Sequence, residues 1–224
     1  MTAKDTILNA IRQQVAAGKS DDERAKSVAD RLEGGSNGII PARGQISAQD
    51  RTGLFLKKAG EVQSTTDHVK AYDNVAQAIS DYLRNRNLPQ AIRSGTDAHL
   101  TQIDWSKAPQ LDRATGPSDG TDLVGLSHAQ SAVAETGTLI LTSGAENPTT
   151  LNFLPEVHIV VVDAKDIEGD YESALDRVRT ISTTGHMPRT VNMVTGPSRS
   201  GDIEQKILLG AHGPRSLHII VVGT

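Results

Sequence analysis

The chain has 224 residues, a formal net charge of −4, 3% aromatic residues and no cysteine. That length suffices for one well-buried domain, or a domain with an added N-terminal arm. The acidic balance argues against a nucleic-acid or anionic-membrane partner, and the few aromatics against single-strand stacking platforms. Without thiols there is no disulfide, cysteine nucleophile, thiolate zinc site or iron–sulfur cluster of its own, so no cofactor is expected.

The first fifteen residues, MTAKDTILNAIRQQV, carry Lys4, Asp5 and Arg12 and lack the apolar segment of a signal peptide. No apolar run approaches the roughly 20 residues of a membrane span, so the expectation is a soluble, cytoplasmic protein. Residues 2–17 read as a helix, with Thr2 and Asp5 as a capping box. Its stripe Ile7, Leu8, Ile11 and Val15 is expected to pack on the chain's own domain. Residues 20–48 turn polar and glycine-rich, with a turn or two of helix over 25–32. Residues 1–48 are therefore read as an N-terminal helix and variable polar linker, and residues 49–224 as the main domain.

Regular alternation starts near Gln49. A helix is predicted over 51–60 and a short strand over 61–65. Val69, Tyr72, Val75, Ala76, Ile79 and Leu83 trace a second helical face, with Asp67 as its N-cap. A strand over 90–93 follows, and Trp105 reads as a core or interface plug. Residues 122–126 form a strand, Ser127 caps an alanine-rich helix over 128–134, and 137–142 is another strand. At the joint Ala134-Glu135-Thr136-Gly137-Thr138 the glutamate is expected to be partly buried and to need a partner. It is either an acid/base or ligand-orienting carboxylate, or half of an ion pair with an arginine. Residues 143–155 are a loop, 158–162 a buried strand ending in Asp163, and 171–184 a helix.

Residues 191–222 read as strand, glycine-proline turn, helix, glycine-proline turn, strand. Ile203, Ile207 and Leu208 recur at helical spacing, Asp202 and Glu204 sit in the first turn, and Gly210 stops the helix. Gly196-Pro197-Ser198-Arg199-Ser200-Gly201 then lies at a helix N-terminus, where N–H groups, two hydroxyls and a guanidinium suit an anion or phosphoester. The plain alternative is a well-capped turn with a solvated arginine. His212-Gly213-Pro214-Arg215 is expected at the opposite edge of the sheet unless the chain doubles back. Strand–helix alternation with β-branched strands indicates an α/β domain with an open, largely parallel sheet. Ser198 matches a nucleophile elbow only in part, and the seven histidines show no metal-binding spacing, so no metal site is expected.

Three segments in order, AETGTLIL from Ala134, TGPSRSGDIE from Thr195 and GAHGPRSLHIIVV from Gly210, resemble the LUD-domain family of lactate-utilization protein C type. The family's usual motif is close to GPSRTADIE, with Ser200 and Gly201 here in place of Thr and Ala. The resemblance implies an open α/β sheet similar to the CoA-transferase and sugar-phosphate isomerase group. It also implies iron–sulfur partner proteins in a system that oxidises L-lactate to pyruvate. One expected role is a non-redox, ligand-binding subunit that takes a small anionic metabolite. Its pocket would use Thr136, Gly137, Thr138, Gly196, Ser198, Arg199, Ser200 and Asp202. The other is an enzyme acting on an acyl or phosphorylated metabolite, with Glu135 as the catalytic carboxylate and the same GPSRSG turn. Neither role involves nucleic acid or a membrane span.

Overall fold

The computed structural model describes residues 2–16, 20–34, 38–181, 187–203 and 206–224. Residues Met1–Ile39 are a unit of their own, built from helices α1 (Ala3–Ala16) and α2 (Asp21–Gly34). The expected capping box is present: Thr2 N and Oγ1 donate to Asp5 Oδ2 at 2.9 and 2.7 Å, and Asp5 N donates to Thr2 Oγ1. Ser20 and Glu23 repeat the device at the head of α2. Within this unit Ile7, Leu8, Ile11 and Val15 are exposed. The sequence of α2 offers just Val28 and Leu32 as large apolar residues, too few to cover the stripe. Among the described residues no helix is long and apolar enough to cross a membrane.

The second unit, Ile40–Thr224, begins with α3 (Ala48–Glu61), β1 (Thr65–Val69), α4 (Val75–Asn85), β2 (Ala91–Ser94) and β3 (Asp112–Thr115). It continues with β4 (Val124–His128), β5 (Ser131–Val133), β6 (Thr138–Thr142), α5 (Thr150–Phe153), β7 (Val157–Asp163) and β8 (Ile167–Glu168). Helix α6 (Tyr171–Ile181) precedes β9 (Val191–Val194), β10 (Arg199–Ile203), β11 (Lys206–Leu209) and β12 (Ser216–Val222). The main sheet has six strands in the order β1-β12-β7-β4-β2-β3, every neighbouring pair parallel. Strands β7 and β12 lie inside it and are apolar along almost their whole length, as strands covered on both faces must be. Alternate side chains serve alternate cores. Ile159, Val161, Ile220 and Val222 meet Val75, Ile79 and Leu83 of α4 on one face. Val160, Val162, Ile219 and Val221 meet Phe55 and Ala59 of α3, together with Leu139 and Leu141, on the other. The latter two belong to a second sheet, β8-β5-β6-β9, whose far side packs Val133 and Ile140 against Ala174 and Val178 of α6.

Four local expectations fail. The helix over 128–134 is strand and turn: every residue there except Gln130 is buried, residues 131–133 pair with β6, and residues 132 and 133 also pair with β8. Alanine's helix propensity is worth a few tenths of a kcal/mol per residue, less than two strand pairings in a buried layer. Asp67 and Val69 stand in β1, whose span starts where the expected strand over 61–65 ends, so the α4 face begins at Val75. Residues 42–45, expected in a linker, pack with the main unit: Gly44 abuts Gly169, and Gln45 Nε2 donates to Asp170 Oδ2 at 2.8 Å. Finally, the helix expected after Gly201 is an antiparallel hairpin, β10 on β11. A short apolar run such as Ile207-Leu208-Leu209 fits either period, so the spacing did not discriminate. His186 and Glu204, and the end of the predicted 171–184 helix beyond Ile181, lie outside the described residues.

Candidate functional site

Because β10 and β11 form a hairpin, the chain doubles back and brings its two glycine-proline turns together. Gly196 takes φ +76° as the chain leaves β9, and an added Cβ there would strike the carbonyl of Val62. Ser198 then ties the turns to each other. Its N–H donates to Pro214 O at 2.9 Å, its carbonyl accepts from Gly210 N at 3.0 Å, and its Oγ accepts from His212 N at 3.3 Å. A cavity of about 280 Å³ lies between them, with polar lining from Asn152, His158, Thr195, Ser198, Arg199 and His212 and apolar walls from Phe153, Met193, Pro214 and Leu217. No carboxylate is among its described lining residues. Arg199 spends one N–H on Val62 O, 2.6 Å away near the end of α3, and keeps the rest of its fork. His158 is buried, which pushes its pKa down to about 3, so its imidazole is neutral. Its Nε2 lies 3.0 Å from Ser127 Oγ, whose hydroxyl donates to Asn152 Oδ1.

The AETGT joint reaches this cavity only indirectly. Thr138 Oγ1 is 2.7 Å from Thr195 Oγ1 and 2.8 Å from the Tyr171 hydroxyl, and Thr136 Oγ1 is 2.8 Å from Thr138 Oγ1. Gly137, at φ +71°, lets the turn approach the backbone of α3 at Lys58 and Ala59. Glu135 is buried and accepts from Arg43 Nε at 2.9 Å, which is the arginine ion pair rather than the open carboxylate. Its partner is Arg43, not Arg199, and neither Glu135 nor Ser200 lines the cavity. Asp202 has a described backbone in β10 and no described side chain. The helix N-terminus that was to cradle an anion at Gly196–Gly201 does not exist, so its dipole and its row of free N–H groups are not available to an anion there.

A second polar cluster sits at the opposite, carboxyl edge of the parallel sheet. Its residues end or follow strands: Tyr72 after β1, Asp97 and His99 after β2, His128 at the end of β4, Asp163 at the end of β7. The imidazoles of His99 and His128 stack at 4.0 Å, 13° from parallel. Asp97 Oδ1 stands at one edge of the stack, 3.1 Å from His99 Nδ1 and 3.6 Å from His128 Nδ1. Asp163 Oδ2 stands at the other, 4.0 and 3.7 Å from the two Nε2 atoms. Asp97 also accepts from Asn147 Nδ2 at 2.6 Å and from His99 N at 2.8 Å, and Asp163 accepts from the Tyr72 hydroxyl at 2.9 Å. Burial alone would raise the Asp97 carboxyl, but the His128 imidazole and these hydrogen bonds outweigh it and hold it below its ordinary range. Burial, and then the neighbouring Asp163 carboxylate, push the Tyr72 phenol up.

Residues 2–222 match the LUD domain. The chain belongs to the LUD-domain family. It is 37% identical over 145 residues to an uncharacterized protein of Neisseria meningitidis, covering 62% of this chain and 61% of that one. To Lactate utilization protein C of a Geobacillus species it is 35% identical over 100 residues, 44% of this chain and 42% of the relative. The chain thus spans less than two thirds of either protein. Lactate utilization protein C 1 of Bacillus mycoides matches at 28% over 188 residues, 78% of this chain and 80% of that one. Among solved structures, a DUF162 family protein from Deinococcus radiodurans shares the fold with a TM-score of 0.60 at 22% identity, covering 80% of this chain and 99% of that chain.

Of the residues singled out by sequence, the LUD domain brings Gly196, Ser198 and Arg199 to one cavity and leaves Glu135, Thr136 and Gly137 in a packed turn beside it. The carboxyl-edge cluster was missed. Its members are scattered from residue 72 to residue 163, and no short motif links them. The available signal was positional: polar residues ending buried parallel strands lie where open α/β sheets bind ligands.

Proposed function

We propose that this LUD domain is a non-redox, ligand-binding component of a cytoplasmic L-lactate utilization system, and that the cavity between its two glycine-proline turns takes a small carboxylate. One observation carries the choice of ligand: the lining combines a guanidinium, two imidazoles and hydroxyls with no described carboxylate. Arg199 supplies the charge, and Ser198 and Thr195 the hydroxyls. The system is suggested by relatives named Lactate utilization protein C. A chain without cysteine fits a subunit whose electrons travel through iron–sulfur partners.

Calorimetric titration with L-lactate, pyruvate and related small carboxylates tests the reading. A charge-assisted hydrogen bond is worth about 1.5–3 kcal/mol. Arg199→Ala should therefore weaken binding roughly 10- to 150-fold, and Arg199→Lys should restore part of the loss. Thermal melts should move little, because the guanidinium is exposed. Failure of every carboxylate to titrate, or equal affinity in Arg199→Ala, removes the assignment. Deleting the gene should abolish growth on L-lactate and spare growth on pyruvate; normal growth on lactate in a strain with no second copy removes the system assignment.

A further inference from the structure

Among the described residues outside the cavity, the most buried imidazole is that of His128. Its side chain is 1% exposed, and neither ring nitrogen has a hydrogen-bond partner. Contacts of 3.6 and 3.7 Å to the two carboxylates are too long to be hydrogen bonds. A buried imidazole left in that state costs free energy unless something else occupies its lone pair. Asp97 and Asp163, both largely buried, form no ion pair with lysine or arginine among the described residues, and Lys165 acts on Asp163 only at longer range. Two carboxylates and two imidazoles therefore face one another with no lysine or arginine paired to them among the described residues.

We propose that Asp97, His99 and His128 bind a divalent first-row transition-metal ion of the zinc class, with Asp163 as the carboxylate that orients the imidazoles. One ligand atom from each of the three residues lies within 4.8 Å of the others. Two donors sharing a tetrahedral ion at about 2.0–2.1 Å stand about 3.3–3.4 Å apart. The Nδ1 atoms of His99 and His128 stand 3.1 and 3.6 Å from Asp97 Oδ1, either side of that spacing; because the two rings are stacked 13° from parallel, the partly exposed His99 ring turns out of the stack to aim its lone pair at the ion. On the other edge, Asp163 Oδ2 stands 4.0 and 3.7 Å from the two Nε2 atoms, beyond hydrogen-bond distance as the rings now lie but on the side from which an outer carboxylate orients a metal-bound histidine. Asn147 and the His99 N–H hold Asp97, and the Tyr72 hydroxyl holds Asp163. Two imidazoles and one carboxylate select a borderline transition metal over calcium or magnesium. Three protein ligands leave a coordination position for water or a substrate oxygen. Entry is available where His99 is partly exposed and where a cavity of about 300 Å³, lined by Gln130 and residues 142–147, opens beside Asp97. The site is separate from the proposed carboxylate cavity and does not rest on it.

The test uses the full chain, stripped with chelator and dialysed, then titrated calorimetrically with Zn²⁺ and followed optically with Co²⁺. The wild type should take up one ion per chain and develop tetrahedral Co²⁺ absorption. His128→Gln and Asp97→Asn should abolish stoichiometric uptake. His99→Ala, at a partly exposed position, should keep the metal-free melting temperature and weaken Zn²⁺ binding at least 10-fold. Asp163→Asn should weaken it roughly 10- to 100-fold while the Co²⁺ spectrum at saturation persists, as expected of a positioning residue. Two results overturn the proposal. If the wild type shows no stoichiometric uptake, the cluster is a proton-sharing imidazole pair. If His99→Ala and His128→Gln bind as tightly as wild type, the ion sits elsewhere.

Discussion

Gly137→Ala separates a packing glycine from a ligand-binding one. An added Cβ at Gly137 would stand 2.5 Å from Ala59 N and 2.7 Å from Lys58 C, both backbone atoms inside α3, so no side chain can turn aside. Residue 137 also has φ +71°. Holding alanine at positive φ costs roughly 1–2 kcal/mol, and overpacking adds roughly 1–3 kcal/mol. Restricting the unfolded chain returns about 0.4–1 kcal/mol, leaving a net loss of about 2–4 kcal/mol. Gly120→Ala is the control: its φ is +95°, yet nothing lies within 4 Å of an added Cβ. Strain alone would make Gly120→Ala at least as costly, so an excess at Gly137 measures the close approach. That excess should be about 1–3 kcal/mol in urea unfolding. At roughly 2–4 °C per kcal/mol for a domain of this size, it is a melting temperature about 2–12 °C below the control. Equal shifts in the two variants would refute the reasoning, and Gly137 would return to consideration as a ligand contact.

Two further outcomes follow from buried polar groups. Arg43→Ala leaves the Glu135 carboxylate without its partner; because Arg43 is itself mostly exposed, the loss should be about 1–2 kcal/mol, at the low end for a charged hydrogen bond. Combining it with Glu135→Gln should recover part of that loss in urea unfolding, and an additive double variant would show that the pair contributes nothing. His158, depressed to about 3 by burial, must stay neutral in the fold while the unfolded chain protonates near 6.5. Its contribution is therefore fully present above pH 6.5 and lost as pH falls toward 3, at about 1.4 kcal/mol per pH unit. His158→Gln should lose about 2–3 kcal/mol less than wild type between pH 7 and pH 4.5, the carboxylates cancelling in the comparison; parallel pH profiles would contradict this.

The two candidate sites lie at opposite edges of one sheet, and each was reached by a different kind of information. The glycine-proline turns are short contiguous strings whose backbone demands are local, so their importance was visible in the chain. Their partnership was not, because it depends on β10 and β11 pairing as a hairpin. The carboxyl-edge cluster is the converse: Asp97, His99, His128 and Asp163 are individually ordinary and become a site only because parallel pairing aligns the ends of β2, β4 and β7.

By itself, the sequence determined whatever depends on neighbours along the chain. Long β-branched runs had to be doubly covered strands, the periodicity from Val75 to Leu83 had to be an amphipathic helix, and Thr2 with Asp5 had to cap one. It also determined the absence of thiol chemistry, which no packing can alter. Tertiary structure decided the segments whose local preferences were weak or divided. Residues 128–134 became strand and turn because burial between two layers outweighed alanine's propensity, and residues 199–203 and 206–209 became a hairpin because so short an apolar run cannot establish a period. Long-range packing also chose Arg43 as the partner of Glu135 across 92 residues, a pairing that charge alone left open to any arginine in the chain.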